Sequence, residues 1–230
     1  MAKYRLAKAF ESKVEKTQNV LAVAEMFGLE IASSEGGGRS RYVVLDDLEV
    51  RIEPGWVVYI TGGSGTGKTT VLQLLKEQMG VPELEDLDES LCSEEVIDLA
   101  EVEIDGSTAL VDCFEGSFEE TMGWLSLAGL SEATALIRTP QELSEGQRYR
   151  FRLALAMAKQ PRAICIDECC SMLDRVTAAV VAHNIRKYAD RFGTIFVVAT
   201  SHDDLLEDLC PNVVVLKHFG SGSEVFYPAN

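Results

Sequence analysis

The spacing of hydrophobic and polar positions predicts strands at several points along the chain. Residues 42–52 (YVVLDDLEVRI) alternate between apolar and polar side chains, as a half-buried strand does. The alternation ends at Pro54 and Gly55, which predict a turn. Residues 56–60 (WVVYI) form a short, continuous apolar run that is typical of a strand buried on both faces. Similar runs predict further strands at 108–114, 163–168 and 194–200, and the beginning of another at 19–27.

Between these strands the apolar positions recur at helical spacing. Helices are predicted at about 68–79, 117–137, 147–159 and 174–191. The second of them has an apolar face made by Trp124, Leu127, Leu130 and Leu136. The C-terminal residues VVVLKHF-GSGS-EVFY predict a hairpin. Strands that alternate with helices predict an α/β fold, in which a mostly parallel sheet carries antiparallel edge strands.

Three polar stretches lie outside this pattern. Residues 1–18 are basic and are predicted to form a mobile or helical lead-in, so that the folded domain spans residues 19–230. Residues 33–40 (SSEGGGRS) predict a loop. Residues 82–103 are densely acidic and predict a solvated face or an exposed loop.

Length and composition fit one domain with a sizeable core. The chain has 230 residues, of which 47% are hydrophobic and 25% are charged, and these proportions argue against wholesale disorder. The formal net charge of −16 argues against binding nucleic acid through bulk electrostatics, because such binding requires clustered Lys and Arg. No apolar run approaches the roughly 18 residues of a membrane span, and no secretory signal is visible. We therefore expect the protein to work in the cytoplasm.

The six cysteines predict neither disulfides nor a metal site. Thiols stay reduced in the cytoplasm, and Cys165 lies in an apolar run, where it is expected to pack as a small hydrophobic residue. The adjacent Cys169 and Cys170 lack the C-x₂-C spacing that is typical of zinc sites.

A glycine-rich segment follows the strand predicted at 56–60. Residues 62–69 (GGSGTGKT) match the G-x-x-x-x-G-K-[ST] pattern of a phosphate-binding loop at every fixed position. Glycines let backbone N–H groups surround a polyphosphate, and the helix that follows directs its positive end at the same charge. Lys68 is expected to reach the β- and γ-phosphates, and Thr69 to bind Mg²⁺. The predicted ATP contacts are Gly62, Gly63, Ser64, Gly65, Thr66, Gly67, Lys68, Thr69 and Thr70.

Two acidic residues, Asp167 and Glu168, close the apolar run AICIDE. Ionised groups are not left unpaired beside apolar surroundings, so these two carboxylates indicate a ligand. We expect Asp167 to hold Mg²⁺ and Glu168 to polarise the water that attacks the γ-phosphate. These features alone leave kinases, GTPases and helicases open.

The segment Leu143-Ser144-Glu145-Gly146-Gln147 narrows the choice. Ser144 and Gln147 have the spacing of a capping box, and a capped helix N-terminus with small residues suits an anion. LSEGQ also resembles the signature motif of ABC (ATP-binding cassette) ATPases. The wider stretch LSEGQRYRFRLALA…IDECCSMLDRVTA…VVATSHDDL is similar to a stand-alone group of these ATPases, some of which carry or neighbour an acetyltransferase-like domain. No such domain fits in this chain.

The resemblance implies a P-loop NTPase core of ABC type with a reduced helical subdomain at about 115–147. It also implies that the signature residues contact the γ-phosphate of an ATP held by a partner subunit. These residues are Ser144, Glu145, Gly146 and Gln147.

Two further roles follow from the resemblance. Asp174, in SMLDRVTA, matches the family's D-loop, and His202, in VVATSHDDL, matches the histidine that contacts the γ-phosphate and holds Glu168 in register. His183 and His218 have no such context.

Two elements of the family pattern are missing or ambiguous. The glutamine expected after the strand predicted at 108–114 is absent, and Asp112 or Glu115 is expected to replace it, with Asp112 preferred as a metal ligand. The aromatic residue that stacks on adenine is expected just upstream of the strand residues 43–52. Tyr42 is the nearest candidate, and Phe27 is the other.

The main hypothesis is a cytosolic ATP-driven clamp, in which two copies of the chain close head-to-tail on MgATP and act on an unknown protein client. The alternative is the ATP-binding subunit of a membrane transporter, but the missing glutamine and the short helical segment make a permease the less favoured partner. A second alternative is an ATPase of DNA repair or chromosome maintenance, although the acidic charge disfavours nucleic acid. Arg148 and Arg152 share a helix face and are expected to be solvated or paired at a dimer interface.

Overall fold

The computed structural model describes residues 1–12, 17–27, 40–80, 93–201 and 203–228. The strands of this part of the chain are β1 (Ala2–Ser12), β2 (Ser40–Ile52), β3 (Val57–Thr61), β4 (Ser93–Asp98), β5 (Pro161–Ile166), β6 (Ile195–Ala199), β7 (Val213–Lys217) and β8 (Ser223–Phe226). β1 and β2 form an antiparallel pair, and the other strands form a six-stranded sheet in the order β4-β5-β6-β3-β7-β8. The last pair, β7 with β8, is antiparallel, and the other pairings of this sheet are parallel, which confirms the predicted fold class.

Helices connect the parallel strands. Their bounds are α1 (Gln18–Met26), α2 (Lys68–Met79), α3 (Phe118–Leu127), α4 (Ala133–Leu136), α5 (Glu145–Ala158), α6 (Arg175–Phe192) and α7 (Leu206–Leu209). The predicted helix at 68–79 is confirmed, and those at 147–159 and 174–191 are confirmed to within two residues at each end. The helix predicted at 117–137 is divided into α3 and α4 around Gly129, whose φ of +76° is left-handed. In the described part of the chain, no helix is both long and apolar enough to cross a lipid bilayer.

The six-stranded sheet has an apolar core on each face. Alternate residues of β5 divide between them: Ile164 and Ile166 pack towards α3, α5 and α6, whereas Ala163 and Cys165 pack towards α2 and the β1–β2 pair. This division follows from the period of two along a strand, and it explains why the parallel strands are apolar at consecutive positions. Because β3, β5 and β6 are parallel, the segments that follow them meet at one edge of the sheet.

The N-terminal lead-in predicted at 1–18 is wrong, because residues 2–12 form β1. Tyr4 and Leu6 are buried, and Lys3 and Arg5 between them are exposed, which is the alternation of a half-buried strand. Arg5 also forms an ion pair with Asp47 across the β1–β2 pair. β1 therefore belongs to the folded domain, which begins before the boundary predicted at residue 19.

The strand predicted to begin at 19–27 is also wrong, since residues 18–26 form α1. Thr17 caps this helix, and its hydroxyl oxygen accepts a hydrogen bond from the Val20 N–H at 3.3 Å. Alanine at positions 22 and 24 favours a helix over a strand.

The acidic stretch at 82–103, which was predicted to be exposed, contains β4. This strand lies at the edge of the six-stranded sheet opposite β8 and pairs with β5 in parallel. The strand predicted at 108–114 is instead a single 3₁₀ turn, Leu110–Asp112. Leu110 is fully buried against the core formed with α3 and α5, so the apolar character of this segment reflects packing rather than a strand.

The buried carboxylate of Asp98 explains how an acidic segment enters the sheet. Asp98 is 6% exposed, and its carboxylate accepts hydrogen bonds from Lys76 Nζ at 2.9 Å and from the Ala100 N–H at 3.1 Å. Burial acts to raise the pKa of Asp98, but the hydrogen bonds from Lys76 and the Ala100 N–H outweigh it and hold the pKa below its usual value. The desolvation of the carboxylate is thus offset by a partner on α2.

We expect Asp98→Asn to lower the free energy of unfolding by about 1–3 kcal/mol, because it weakens a buried, charge-assisted hydrogen bond. Urea unfolding measures this loss, and Glu101→Gln is the matched control, because Glu101 also contacts Lys76 but is largely exposed. The folded pKa of Asp98 lies below the unfolded value of about 3.9. The contribution of the pair should therefore be complete above that value and disappear as the pH falls through the folded pKa. Equal losses in the two variants, or a loss that is independent of pH, would contradict this account.

Candidate functional site

The glycine-rich segment 62–67 connects β3 to α2 at the edge where the parallel strands end. Gly67 is the N-cap residue of α2 and offers no side chain to the first N–H groups of the helix. These N–H groups have no partner within the helix, and they carry the positive end of its dipole. The loop and the helix N-terminus therefore form a site for an anion.

Neighbouring elements leave room only for glycine at two positions of this loop. A Cβ atom on Gly62 would lie 2.2 Å from the carbonyl oxygen of Lys217, and one on Gly67 would lie 2.8 Å from Val44 Cγ1. Both glycines also have positive φ, at +143° and +101°. The glycines of the motif are therefore required by packing against β7 and β2 as well as by the approach of a ligand.

The lysine of the motif lies over the loop. Lys68 Nζ donates hydrogen bonds to the carbonyl oxygens of Gly62 and Gly63, each at 2.9 Å. Thr66 is buried, and its hydroxyl donates to the carbonyl oxygen of Gly63 at 2.9 Å. The ammonium group is thus held at the mouth of the anion site, where its charge favours phosphate.

Asp167 connects the end of β5 to the phosphate loop. Thr69 Oγ1 donates a hydrogen bond to Asp167 Oδ2 at 2.8 Å, although the two residues are far apart in the sequence. Hydroxyl and carboxylate oxygens are the ligands that Mg²⁺ prefers in proteins, and it is bound through few protein ligands together with substrate phosphates. The chemistry and proximity of these two oxygens fit the predicted metal site.

Glu168 follows Asp167 and is exposed at the same edge. Its backbone has a φ of +50°, which is uncommon for a residue with a side chain. Strained backbone of this kind clusters at functional sites, where the surrounding structure maintains it. The turn brings the Glu168 carboxylate to the rim of the site instead of continuing the strand into the helix layer.

The signature segment forms a capped helix N-terminus at the protein surface. The Gln147 N–H donates to Ser144 Oγ at 3.2 Å, and the Ser144 N–H donates to Gln147 Oε1 at 3.1 Å, so the predicted capping box is confirmed. Ser144 and Glu145 are exposed, and only Leu143 of this segment is buried. A Cβ atom on Gly146 would lie 3.1 Å from the carbonyl oxygen of Met172, so the segment also packs closely against the chain after β5.

A cavity of about 340 Å³ lies between the start of α5 and the two acidic residues that follow β5, Asp167 and Glu168. Arg148 and Arg152 line it, as their shared helix face predicts, and Arg150 instead donates to the carbonyl oxygens of Gly146 and Gly129. The other lining residues are Leu99, Ala100, Glu145, Tyr149, Asp167, Glu168, Ser171 and Met172. The residues that follow β4 thus present apolar side chains to this cavity.

Asp174, the predicted D-loop residue, has a local structural role. Asp174 is the N-cap residue of α6, and its carboxylate accepts hydrogen bonds from the N–H groups of Val176 at 3.1 Å and Thr177 at 3.0 Å. The Thr177 hydroxyl also donates to it at 2.6 Å, and these bonds, that from the hydroxyl first, lower the pKa of Asp174. The predicted catalytic His202 lies outside the described residues. His218 pairs with Glu224 on the terminal hairpin.

Asp112 loses the basis on which it was predicted as a metal ligand. The prediction required it to follow a strand of the sheet, but Asp112 ends a 3₁₀ turn, and β4 occupies the corresponding edge of the sheet. The next residue, Cys113, lines a separate groove with Lys159, at the end of α5 opposite Ser144. Asp112 is also absent from the lining of the cavity beside Asp167 and Glu168.

The structure adds an aromatic residue that the sequence interpretation missed. Phe10 on β1 is the antiparallel partner of Tyr42 on β2, and its side chain is 48% exposed. Val44, two residues after Tyr42 on β2, contacts the phosphate loop. The alternation of polar and apolar residues at positions 3–6 was the sequence signal for β1. Recognising it would have identified Phe10 as a candidate.

Comparisons with known proteins show the family to which the chain belongs. The family model described as ABC transporter matches residues 45–171. The nickel import ATP-binding protein NikE of Pseudomonas putida is 26% identical over 202 residues, which cover 75% of this chain and 73% of NikE. The methionine import ATP-binding protein MetN of Corynebacterium diphtheriae is 26% identical over 82% of this chain and 64% of MetN, so the chain spans less than two thirds of that relative.

A solved structure shows the same fold. The ATP-binding cassette MJ0796, in a structure bound to ADP and Pi, superimposes with a TM-score of 0.62 and 18% identity, over 85% of this chain and 95% of that chain. The family model covers more than half of this chain, including the phosphate loop, the acidic residues after β5 and the signature segment. The protein therefore belongs to the ABC family of ATPases, which bind ATP with Mg²⁺ and hydrolyse it.

Proposed function

We propose that two copies of this chain close head-to-tail on two MgATP molecules, so that each phosphate loop faces the Ser144-capped helix of the other copy. One observation carries the proposal: the N-terminus of α5 lies at the surface with Ser144 and Glu145 exposed, and so is free to meet a nucleotide held elsewhere. In a twofold dimer the same two surfaces are used twice, which gives two equivalent sites. The similar cassette MJ0796 is described as dimeric, and this supports the arrangement.

In the proposed reaction, Glu168 accepts a proton from the water that attacks the γ-phosphate. The products are ADP and inorganic phosphate. Lys68 and the N–H groups at the start of α2 stabilise the charge of the phosphoryl group, and Ser144 of the other copy contributes a hydroxyl and a positive helix end. The protein acts mainly by positioning these groups, since phosphoryl transfer requires little other chemistry from it.

Thr69 and Asp167 are the residues that would hold Mg²⁺. When bound, the ion neutralises part of the phosphate charge. The hydrogen bond between these two side chains, at 2.8 Å, keeps both oxygens at the mouth of the phosphate loop. Asp174 and His202 are proposed to act at the same site from the segments that follow β5 and β6.

As the client of this ATPase we propose a membrane permease, with the ATPase at its cytoplasmic side. Support comes from the similar curated proteins, which are named as import ATP-binding proteins for nickel and for methionine. The sequence interpretation had made a permease the less favoured partner, and these relatives do not support that ranking. The transported substrate is left open, because the relatives differ in theirs.

A cytosolic clamp acting on a soluble protein is the second candidate. It is favoured by the segment between β4 and α3, which contains no glutamine and which presents Leu99 and Ala100 to the cavity beside Glu168. The family resemblance implies that a transporter cassette uses a glutamine in this segment.

Purification of tagged Glu168→Gln with ATP, from solubilised membranes and separately from the soluble fraction, distinguishes these clients. A multi-span membrane protein that copurifies and raises the ATPase rate of the wild-type chain supports the permease proposal. The permease proposal would be overturned in favour of the clamp by a soluble partner that copurifies and raises the ATPase rate, if adding membranes leaves that rate unchanged. Free phosphate should be the product in either case.

We expect Phe10→Ala to weaken ATP binding by about 1–3 kcal/mol, the usual value of base stacking on an aromatic ring, and Phe10→Trp to retain it. Fluorescent ATP titrations of the two variants, with Phe118→Ala as the exposed aromatic control, measure the effect. If Tyr42→Ala weakens binding and Phe10→Ala does not, the adenine contact belongs to Tyr42 instead.

A further inference from the structure

Two buried thiols and the phenol of a partly buried tyrosine lie directly behind the catalytic candidate Glu168. Cys169 is fully buried and Cys170 is 4% exposed, and their sulfur atoms lie 3.7 Å apart. The hydroxyl of Tyr149, on α5, lies 3.7 Å from Cys169 Sγ and 3.9 Å from Cys170 Sγ. The proposed hydrolysis of ATP uses none of these three side chains.

The other described cysteines differ from this pair. Cys165 is buried within β5, and its surroundings raise its pKa to about 12, which makes it unreactive at neutral pH. Cys210 is exposed, at the end of α7, and its thiol donates to the carbonyl oxygen of Glu207. Only at 169–170, among the described residues, do two cysteines lie next to each other in the sequence.

We propose that Cys169 and Cys170 are a site of reversible oxidative modification, at which a hydroperoxide converts the two thiols to a disulfide and so slows ATP hydrolysis. Three observations on the pair support this: the proximity of the sulfur atoms, their position next to Glu168, and the adjoining cavity. Tyr149, Glu168 and Ser171, which contact or flank the pair, line that cavity of about 340 Å³, so a small oxidant has a route towards the pair.

The two thiols are unequal, which gives the reaction a direction. Cys170 is 4% exposed and Cys169 is fully buried, so a small oxidant reaches Cys170 first. The Cys170 thiolate is therefore the nucleophile that attacks the peroxide oxygen, which forms a sulfenic acid and releases water once a proton is taken up. Cys169 then attacks the sulfenic sulfur and expels a second water molecule. In sum, two thiols and one molecule of hydrogen peroxide give one disulfide and two water molecules, and an organic hydroperoxide gives one alcohol in place of the first water.

Such a disulfide should be easily reduced. Neighbouring Cα atoms lie about 3.8 Å apart across a trans peptide bond, whereas disulfide-linked residues usually have Cα atoms at least about 4.4 Å apart. A bridge between adjacent residues is therefore strained, and strained disulfides are the labile and regulatory ones.

Closing the bridge would disturb both halves of the ATP site. The sulfur atoms must approach from 3.7 Å to a bond of about 2.05 Å, and Glu168, the preceding residue, already has a strained φ of +50°. The Cys170 N–H also donates to Tyr149 Oη at 3.2 Å, which ties this turn to the helix that begins after Ser144. A rotation at Cys170 thus acts on the Glu168 carboxylate and on the signature helix together.

The test is to treat the nucleotide-free protein with hydrogen peroxide, alkylate the remaining thiols, and determine the mass of the peptide that contains both cysteines. We expect a loss of about 2 Da, the mass of two hydrogen atoms, located between residues 168 and 171 by fragmentation. The ATPase rate should fall about 10-fold or more, because small displacements of catalytic groups have large effects, and dithiothreitol should restore it. After peroxide treatment, the Cys170→Ser variant should keep its ATPase rate, and so should a second variant, Cys169→Ala. The Cys210→Ser variant should lose its ATPase rate as the wild type does.

Two outcomes would overturn the proposal. One is a pair that stays reduced under conditions that oxidise Cys210. The other is a Cys170→Ser variant, folded by its melting curve, that is inactivated by peroxide as fast as the wild type. The effect on the rate depends on the proposed role of Glu168, but the mass does not. A disulfide that forms without changing the rate would therefore refute the regulatory step while leaving the modification site established.

Discussion

Glu168→Gln should bind MgATP, lose hydrolysis by about 10²- to 10⁴-fold, and accumulate as a dimer. The substitution removes a general base, and that range is the usual contribution of such a base. It leaves the phosphate loop, Lys68 and the hydrogen bond between Thr69 and Asp167 in place. Because hydrolysis is what reopens the proposed dimer, blocking it should trap the closed state. Phosphate release measures the rate, and a sizing column run with and without ATP measures the dimer.

Glu77→Gln is the matched control for this variant, since Glu77 is exposed on α2, beyond the first turns that follow the phosphate loop. It should hydrolyse ATP at the wild-type rate and show no trapped dimer. If Glu168→Gln retains more than about a tenth of the wild-type rate, Glu168 is not the general base. If it stays monomeric with ATP bound, the role of the dimer in the account is wrong.

Lys68→Ala should weaken ATP binding by at least about 30-fold, which corresponds to roughly 2 kcal/mol, the lower range for truncating one partner of a close charge pair. The ammonium group lies over the loop, 2.9 Å from the carbonyl oxygens of Gly62 and Gly63, and faces the anion site formed by the start of α2. Removing it leaves the backbone N–H groups in place, so residual binding of the nucleotide is expected. Isothermal titration with ATP and with ADP measures both affinities.

The effect of Lys68→Ala should be larger for ATP than for ADP, because the lysine is predicted to contact the γ-phosphate as well as the β-phosphate. Lys187→Ala, which removes an exposed lysine from α6, is the control and should change neither affinity. Equal losses for the two nucleotides would mean that Lys68 does not contact the γ-phosphate. An unchanged affinity for ATP would refute the assignment of the loop.

The structural elements of the candidate site could be predicted from the sequence because each of them is local. The segment from Gly62 to Thr69 is a continuous motif between a strand and a helix, and the capping box of Ser144 and Gln147 depends on residues three positions apart. Such patterns do not depend on which distant elements pack nearby. The predicted role of Glu168 likewise rests on its place at the end of an apolar strand.

Features that depend on distant partners were predicted wrongly. β1 needs β2 as its partner, and the two are separated by more than 25 residues, so the alternation of Tyr4 and Leu6 had no visible counterpart. β4 was hidden by its acidic composition, because Asp98 is acceptable in a sheet only beside Lys76 on α2. Propensity on its own cannot identify such a pair, since strand formation reflects packing against neighbours.

The error at 108–114 has the same origin. The segment TALVDCF has the composition of a strand, but β4 already pairs with the outer side of β5. The apolar Leu110 is instead buried against the helix layer. The prediction of Asp112 as a metal ligand had been based on that strand.

Each ATP site is proposed to consist of residues from two chains, and mixing two inactive variants shows whether it does. Lys68→Ala damages the phosphate loop, and Ser144→Asp keeps a good helix N-cap but places a negative charge against the γ-phosphate of the other copy. In a mixed dimer one site carries both defects and the other carries neither. Random pairing should therefore restore about a quarter of the wild-type sites, and the ATPase rate of the mixture should rise towards that fraction. A mixture no more active than the separate variants would contradict the claim, as would a Ser144→Asp protein that hydrolyses ATP at the wild-type rate.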